Sequence, residues 1–296
     1  MLGHKTRNSR ILIRKTLRKK RASTDYIVAI PSYKRAETLR DKTLQVLKEH
    51  KIPAERIHVF VATPEEKERY AATLEAGTYG KLIVAIPGMA AVRNFITEHY
   101  PIGQQIVNMD DDIKGFLEFS ETARRHEMPL RDLDKFIREA FAESMKTGFR
   151  LWGIYPVPNG FFMRAGEPTT DLKYIIGAFW GIINPGIDVL RVTIDDKEDY
   201  LRSLIMYVAD GGVLRFRTVA PKTAYYKEAG GMQEERTMNR VTKSAEALHK
   251  AFPDLTKLNA TKKSGYLELR LRDARPAGER KFGLEALLKY KKPSVL

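Results

Sequence analysis

Carboxylates stand at two places in this chain where residue type and spacing allow chemistry to be read. Asp110-Asp111-Asp112 closes the apolar run QQIVNM (104–109), and Glu198-Asp199 opens the stretch EDYLRSLIMYVA (198–209). On an extended segment successive side chains alternate, so Asp110 and Asp112 are expected to face one way and Asp111 the other. Two hard oxygen ligands on one side suit a divalent cation that keeps waters and bridges phosphates. Such a cation relieves the repulsion among adjacent carboxylates and neutralises a departing diphosphate. A solvated acidic turn is the bland alternative. Glu198 and Asp199 also have a bland reading, because Asp and Glu favour any helix N-terminus for dipole reasons.

These residues need a scaffold. Short β-branched runs occur at 26–30 (YIVAI), 57–62 (IHVFVA), 82–86 (LIVAI) and 104–109, each bounded by polar or turn residues. Continuous runs of this kind read as strands buried on both faces. Between them, 38–50 places Leu39, Thr43, Leu44 and Leu47 on one helical face. Thr63-Pro64-Glu65-Glu66 reads as a capped helix start, and 89–99 is a third helical stretch. The alternation predicts a mostly parallel sheet covered on both sides. After a helical connection at 131–147, the chain becomes strand-rich: FRLWGIYPV (149–157), GFFM (160–163), YIIGAFWGIIN (174–184) and VLRFRTV (213–219). A helix at 198–209 interrupts these strands. A last helix, 238–251, precedes the strand-like GYLELRLR (265–272).

The charge is uneven. The chain of 296 residues carries a formal +15, yet residues 1–24 hold nine Lys and Arg with no acid, and 257–296 hold eleven against four. The segment 25–256 is therefore close to neutral. This divides the chain into a basic arm (1–24), a near-neutral central domain (25–256) with halves 25–112 and 113–256, and a basic extension (257–296). Basic ends around a neutral body favour a polyanionic partner such as nucleic acid. The absence of cysteine excludes disulfides and thiolate chemistry. No apolar run is long enough to span a bilayer, and no secretory leader is evident. A cytoplasmic protein is expected, in the host cell if the source is viral.

In open parallel sheets ligands sit at the carboxyl ends of the strands. PSYKRAETL follows the first strand without a Gly-x-Gly-x-x-Gly, and no P-loop motif occurs anywhere. The acidic triplet after the fourth strand resembles the Asp-x-Asp signature of metal-dependent GT-A glycosyltransferases. AIPSYKRAETL is similar to the first nucleotide loop of that superfamily, GMAAVRNF to its Arg-Asn helix, and DDKEDYLRSLIMYVADGGVLRFRTV to its acidic catalytic region. Within it, the set IPSYKR, RN, NMDDDI and KEDY resembles, over about 26–235, the glycosyltransferases of hydroxymethylpyrimidines in DNA, including the base-J glucosyltransferase type and phage relatives.

The resemblance implies an α/β/α sandwich with a mixed sheet that binds a nucleotide sugar. It implies Mn2+ or Mg2+ on Asp110 and Asp112, and Asp199 as catalytic base. Pro31, Ser32, Tyr33, Arg35, Arg93, Asn94 and Asp111 would surround the nucleotide sugar. Trp152, Tyr155, Trp180 and Glu198 would contact the acceptor. Many family members carry a late histidine ligand; APKTAYYKEAGGMQ has none, and Lys222, Lys227 and Gln233 are offered as phosphate contacts instead. The implied reaction moves a hexose, glucose first, from a UDP-sugar to a hydroxymethyl oxygen of 5-hydroxymethylcytosine or 5-hydroxymethyluracil in DNA. A protein or glycan acceptor, or a non-catalytic nucleic-acid-binding role on the same fold, are the alternatives.

Overall fold

The computed structural model describes residues 25–223, 238–259 and 267–293. Four strands, β1 (Ile27–Pro31), β2 (Ile57–Val61), β3 (Lys81–Val84) and β4 (Gln105–Met109), lie parallel and match the sequence expectation closely. Two short strands, β5 (Gly115–Phe119) and β6 (Glu127–Pro129), follow. The later strands are β7 (Leu151–Ile154), β8 (Phe179–Ile183), β9 (Leu214–Phe216) and β10 (Val219–Lys222). Seven of them form one mixed sheet in the order β3-β2-β1-β4-β8-β7-β9, with β8 antiparallel to both β4 and β7. A second sheet, β10-β5-β6, is antiparallel. The expected α/β sandwich with a mixed sheet is the observed one.

Period-two alternation divides the core in two. Val28, Ile30, Val59, Val107, Met109, Trp152 and Phe179 face one side. There they meet α1 (Ala36–Asp41), α2 (Thr43–Glu49) and α5 (Leu133–Thr147), together with Tyr70 of α3 (Pro64–Thr73). Ala29, Phe60, Ile106, Leu151, Trp180 and Ile182 face the other side, against α4 (Met89–His99) and α6 (Glu198–Asp210). The helix α7 (Met238–Ala251), the strands β11 (Thr256–Asn259) and β12 (Glu268–Leu271) and the short α8 (Leu284–Leu287) add to that second layer. The expected boundary at 256/257 therefore cuts through β11, whose two ends pair with one strand, β12.

Several expectations are corrected. The single helix over 38–50 is two, broken at Lys42. GFFM (160–163) is not a strand. The Gly160 amide donates to Glu127 at 2.6 Å, and a Cβ there would lie 2.2 Å from the Arg125 carbonyl oxygen. VLRFRTV is two strands in different sheets, parted at Arg217 and Thr218. Thr63 caps α3 by accepting from the Glu66 amide at 3.2 Å. Glu66 does not close the expected box; it accepts from the Lys34 and Ala62 amides and so ties together the loops after β1 and β2.

Trp152 packs closely against Gly181 of β8, where a Cβ would sit 2.1 Å from the ring. Gly181→Ala is expected to cost about 1–3 kcal/mol through overpacking, read as a lowered urea midpoint.

A buried histidine supplies a pH dependence. His58 on β2 contacts the Tyr100 hydroxyl at 2.6 Å and the Glu55 carbonyl at 3.2 Å. Burial, with Lys81 adding to it, pushes its imidazole down to about 4 from an ordinary 6.5. The unfolded chain takes the proton first as pH falls. Stability from this site is thus complete above the ordinary value and drains away toward the depressed one, by up to about 3 kcal/mol. Urea midpoints measured across that window should fall on acidification, and less steeply for His58→Gln.

Candidate active site

The carboxyl ends of β1 and β4 and the amino end of β8 meet at one edge of the sheet. The antiparallel pairing of β8 with β4 produces this meeting, and the Asp110 amide donates to the Ala178 carbonyl at 2.9 Å. The strand stops at Met109, and Asp111-Asp112 form a turn rather than continuing it. Alternation along an extended segment is therefore not what separates the carboxylates, yet Asp111 is the one turned inward. It accepts from the Ser32 hydroxyl at 2.6 Å and from Arg35 at 3.4 Å. Burial drives its carboxyl up to about 7, opposed by the Ser32 hydrogen bond and the Arg35 charge. Tyr70 completes this corner, bonded to Ser32 at 2.7 Å and accepting from the Arg35 amide at 3.0 Å.

The turn is latched from beneath by Thr43 of α2, a contact that sequence reasoning missed. Its hydroxyl donates to the Asp110 carbonyl at 2.8 Å and accepts from the Ile113 amide at 3.0 Å. The only sequence signal was a polar residue on the otherwise apolar face of a helix. Thr43→Val leaves two buried backbone groups unpaired and is expected to cost about 1–3 kcal/mol, visible as a lower melting temperature.

Arg93 of α4 is the hub. Fully buried, it donates to Asp110 Oδ1 at 2.7 Å, to the Gly177 carbonyl at 3.2 Å and to Asn108 at 3.4 Å, and its Nε lies 3.7 Å from Glu198. Glu198 also bonds Arg202 one helical turn along α6. Burial raises the Glu198 carboxyl, with Arg202 and Arg93 opposing, and burial lowers the Arg202 guanidinium, with Glu198 opposing. Asp199 sits beside this network. Its Oδ2 accepts from the Tyr174 hydroxyl at 2.6 Å and the Gly177 amide at 3.3 Å, and its Oδ1 from the Tyr200 amide at 3.0 Å. Gly177 thus touches both carboxylate centres, its carbonyl through Arg93 and its amide through Asp199.

The remaining expected residues are distributed unevenly. Pro31 ends β1 at this edge, and Tyr33 is exposed with the Lys34 ammonium 4.9 Å from its ring centre. Lys222 ends β10 beside the acidic turn, its carbonyl accepting from the Lys114 amide at 2.7 Å. Asn94 faces another way: its amide donates to and accepts from the Val192 backbone at 2.8 and 3.0 Å. Trp152 and Trp180 are 0% and 1% exposed and belong to the two cores, so neither ring is open to an acceptor. Glu198, expected to touch the acceptor, is likewise buried within its ion pairs. Tyr155 is half-buried, 5.5 Å from the Arg215 guanidinium. Among the described residues the most exposed aromatic rings are those of Phe161 and Phe162, 55% and 57% exposed, with Phe161 edge-on to His126. Lys227 and Gln233 lie outside the described residues, as does the arm 1–24.

Arg93 engages Oδ1 of Asp110 and leaves Oδ2, while Arg35 stands 4.0 Å from Asp112. Among the described residues no three His, Asp or Glu converge as a closed metal cage. Two partly exposed carboxylates fit a cation whose remaining ligands are water and diphosphate oxygens, and not one held by protein alone.

No protein-family profile matches the chain, and none of the curated proteins compared with it is similar. Among solved structures, S. aureus TarS 1–349 aligns at 16% identity over 67% of this chain and 59% of that one, with a TM-score of 0.43. The mannosyltransferase PcManGT from Pyrobaculum calidifontis, in complex with GDP-Man and Mn2+, aligns at 16% over 75% and 64%, with 0.46. TarS 1–349 in complex with UDP aligns at 14% over 78% and 72%, with 0.43. This chain spans about three-fifths of the length of the first of these. With every TM-score below 0.5, the fold rests on the strand order and the site on its own geometry.

Proposed function

We propose that this chain is a metal-dependent, inverting GT-A glycosyltransferase that moves a hexose from a UDP-sugar to the hydroxymethyl oxygen of a 5-hydroxymethylpyrimidine in DNA. The observation that carries the reading is the convergence of the Asp110–Asp112 turn, the Ser32–Arg35 loop and Asp199 at one edge of the sheet, linked through Gly177 and Arg93. The resemblance of the same segments to glycosyltransferases of modified DNA supports the acceptor class, as do the basic ends of the chain. Among the described residues no helix is long and apolar enough to cross a membrane.

In this reading Tyr33 offers its exposed face to the pyrimidine of the donor, and Lys222 approaches the diphosphate from β10. Asp112 and Oδ2 of Asp110 would hold Mn2+ or Mg2+, which supplies neutralisation of the departing diphosphate. Asp199, fixed by Tyr174 and the Gly177 and Tyr200 amides, takes the proton of the acceptor hydroxyl. That oxygen bonds the anomeric carbon from the face opposite the breaking carbon–oxygen bond, and the electron pair leaves with the nucleotide. A primary alcohol needs such a base at neutral pH. Phe161 and Phe162 replace the buried tryptophans as the stacking surface for a base drawn from the helix.

Mass spectrometry of nucleosides, after incubation with modified duplexes and a panel of UDP-sugars, tests the acceptor. A hexosylated hydroxymethylpyrimidine is expected, with turnover falling steeply as salt rises. Exposed phenylalanines stack equally well on sugar rings, so a glycan acceptor is the second reading. UDP release that needs a glycan and ignores salt would establish it instead.

A further inference from the structure

The described part of the basic extension is folded onto the second layer, and between its end and α7 lies an open groove of about 740 Å³. α8 is seated there by Ala286 and Leu287, both buried, and Gly283 enters it at φ 103° with its amide on the Val208 carbonyl at 2.9 Å. Beyond α8 the chain is pinned by Tyr290. Its ring stacks on Phe252, just after α7, with centres 4.8 Å apart, and its hydroxyl donates to Asp254 at 2.8 Å. Lys292 is tied down as well, its ammonium donating to the Val189 and Arg191 carbonyls at 2.9 and 2.7 Å. Lys289 and Lys291, on either side of Tyr290, are left exposed along the groove.

Lys250 of α7 and Lys281 line the same groove and are exposed too. None of these four ammonium groups meets a carboxylate or another hydrogen-bond partner among the described residues. The other charged residues on the groove are Arg275, Asp254 and Glu279. Arg275 is engaged by Asp273 at 2.8 Å, and Asp254 by Tyr290 and, at 4.0 Å, by Arg275. Four unneutralised cations therefore stand against the single carboxylate of Glu279. Folding has gathered like charges around one concavity, and a polyanion relieves the resulting self-repulsion. Lysine, a compact hydrated point charge on a flexible stem, suits a run of phosphates rather than one forked contact. The concave shape admits a ridge of phosphates, whereas a flat bilayer would meet only its rim.

We propose that this groove holds the phosphate backbone of duplex DNA through Lys250, Lys281, Lys289 and Lys291, away from the base being modified. It rests on the DNA-acceptor reading above and gives that acceptor a place of attachment. The module sits at the far end of α6 from Asp199, since Gly283 bonds Val208, roughly 14 Å along that helix. Contacts there position the duplex and read no sequence.

The test is fluorescence anisotropy of a labelled, unmodified duplex with the full chain, at a series of salt concentrations and with neither UDP-sugar nor metal. The double variant Lys281→Ser, Lys289→Ser is expected to lower the slope of log affinity against log salt by about 2. Between about 50 and 200 mM salt the wild type should then lose about tenfold more affinity than the variant. Lys281→Arg with Lys289→Arg should keep the wild-type slope. So should Lys48→Ser with Lys146→Ser, two exposed lysines on the opposite layer. Equal slopes in the groove and control variants overturn the proposal, because the duplex then binds elsewhere on the chain. Leu284 and Leu288 of α8 are exposed, so phosphatidylserine vesicles form a second arm. Vesicle capture that needs Lys281 and Lys289, with duplex binding indifferent to them, also overturns it. A chain that binds DNA as expected yet transfers no sugar would sink the transferase reading and leave the groove standing.

Discussion

Asp199→Asn is expected to lower turnover by about 10²- to 10⁴-fold, the usual contribution of a positioned general base, while nucleotide binding persists. The substitution removes the proton-accepting charge but preserves the shape. The Tyr174 hydroxyl and Gly177 amide still find an amide oxygen in place of Oδ2, and only the Tyr200 amide meets a changed partner. A loss of about 1 kcal/mol in stability is the most that one altered hydrogen bond should produce, too little to unfold the chain. Single-turnover rates and UDP affinity, measured on the same preparation, separate the two effects. Turnover like that of the wild type would remove Asp199 from the mechanism.

Arg93→Met carries the largest expected effect on stability, about 3 kcal/mol. Truncating one partner of a buried ion pair costs about 3–5 kcal/mol because the other charge stays buried. The lower end applies because both carboxylates keep some relief. Asp110, with its side chain 35% exposed, can return to water, and Glu198 retains Arg202. Asn108 and the Gly177 carbonyl have no such recourse and lose a donor. Urea unfolding measures the loss. Because Gly177 and Asp110 would shift together, metal-dependent UDP binding should weaken as well. A variant with unchanged stability would show that the hub is not a structural requirement.

The parallel half of the sheet was legible because its strands are buried on both faces, which leaves continuous apolar runs such as YIVAI and QQIVNM. The antiparallel sheet was not. Its strands β5 and β6 are short, half-buried and interrupted by Glu118 and Glu127, so neither period-two alternation nor a continuous run marks them. GFFM read as a strand because its aromatics are β-formers, but Phe161 and Phe162 point to water and Gly160 is pinned to Glu127.

In the site, the carboxylates were visible from type and position, whereas their partners were not. Tyr174 lies 25 residues from Asp199, and Thr43 lies 67 from Asp110. Nothing in local sequence announces such pairings. The tryptophans misled for a related reason: FWGII and RLWGI look like lining for a pocket, yet each glycine makes room for packing inside the sandwich.

The most direct measurement is diffraction from the chain crystallised with UDP and manganese. The cation is expected against Asp112 and Oδ2 of Asp110, beside the diphosphate, with the uracil on Tyr33 and Asp199 open to the acceptor side. A cation bound elsewhere, with Asp110 still on Arg93 and Asp112 still beside Arg35, would contradict it.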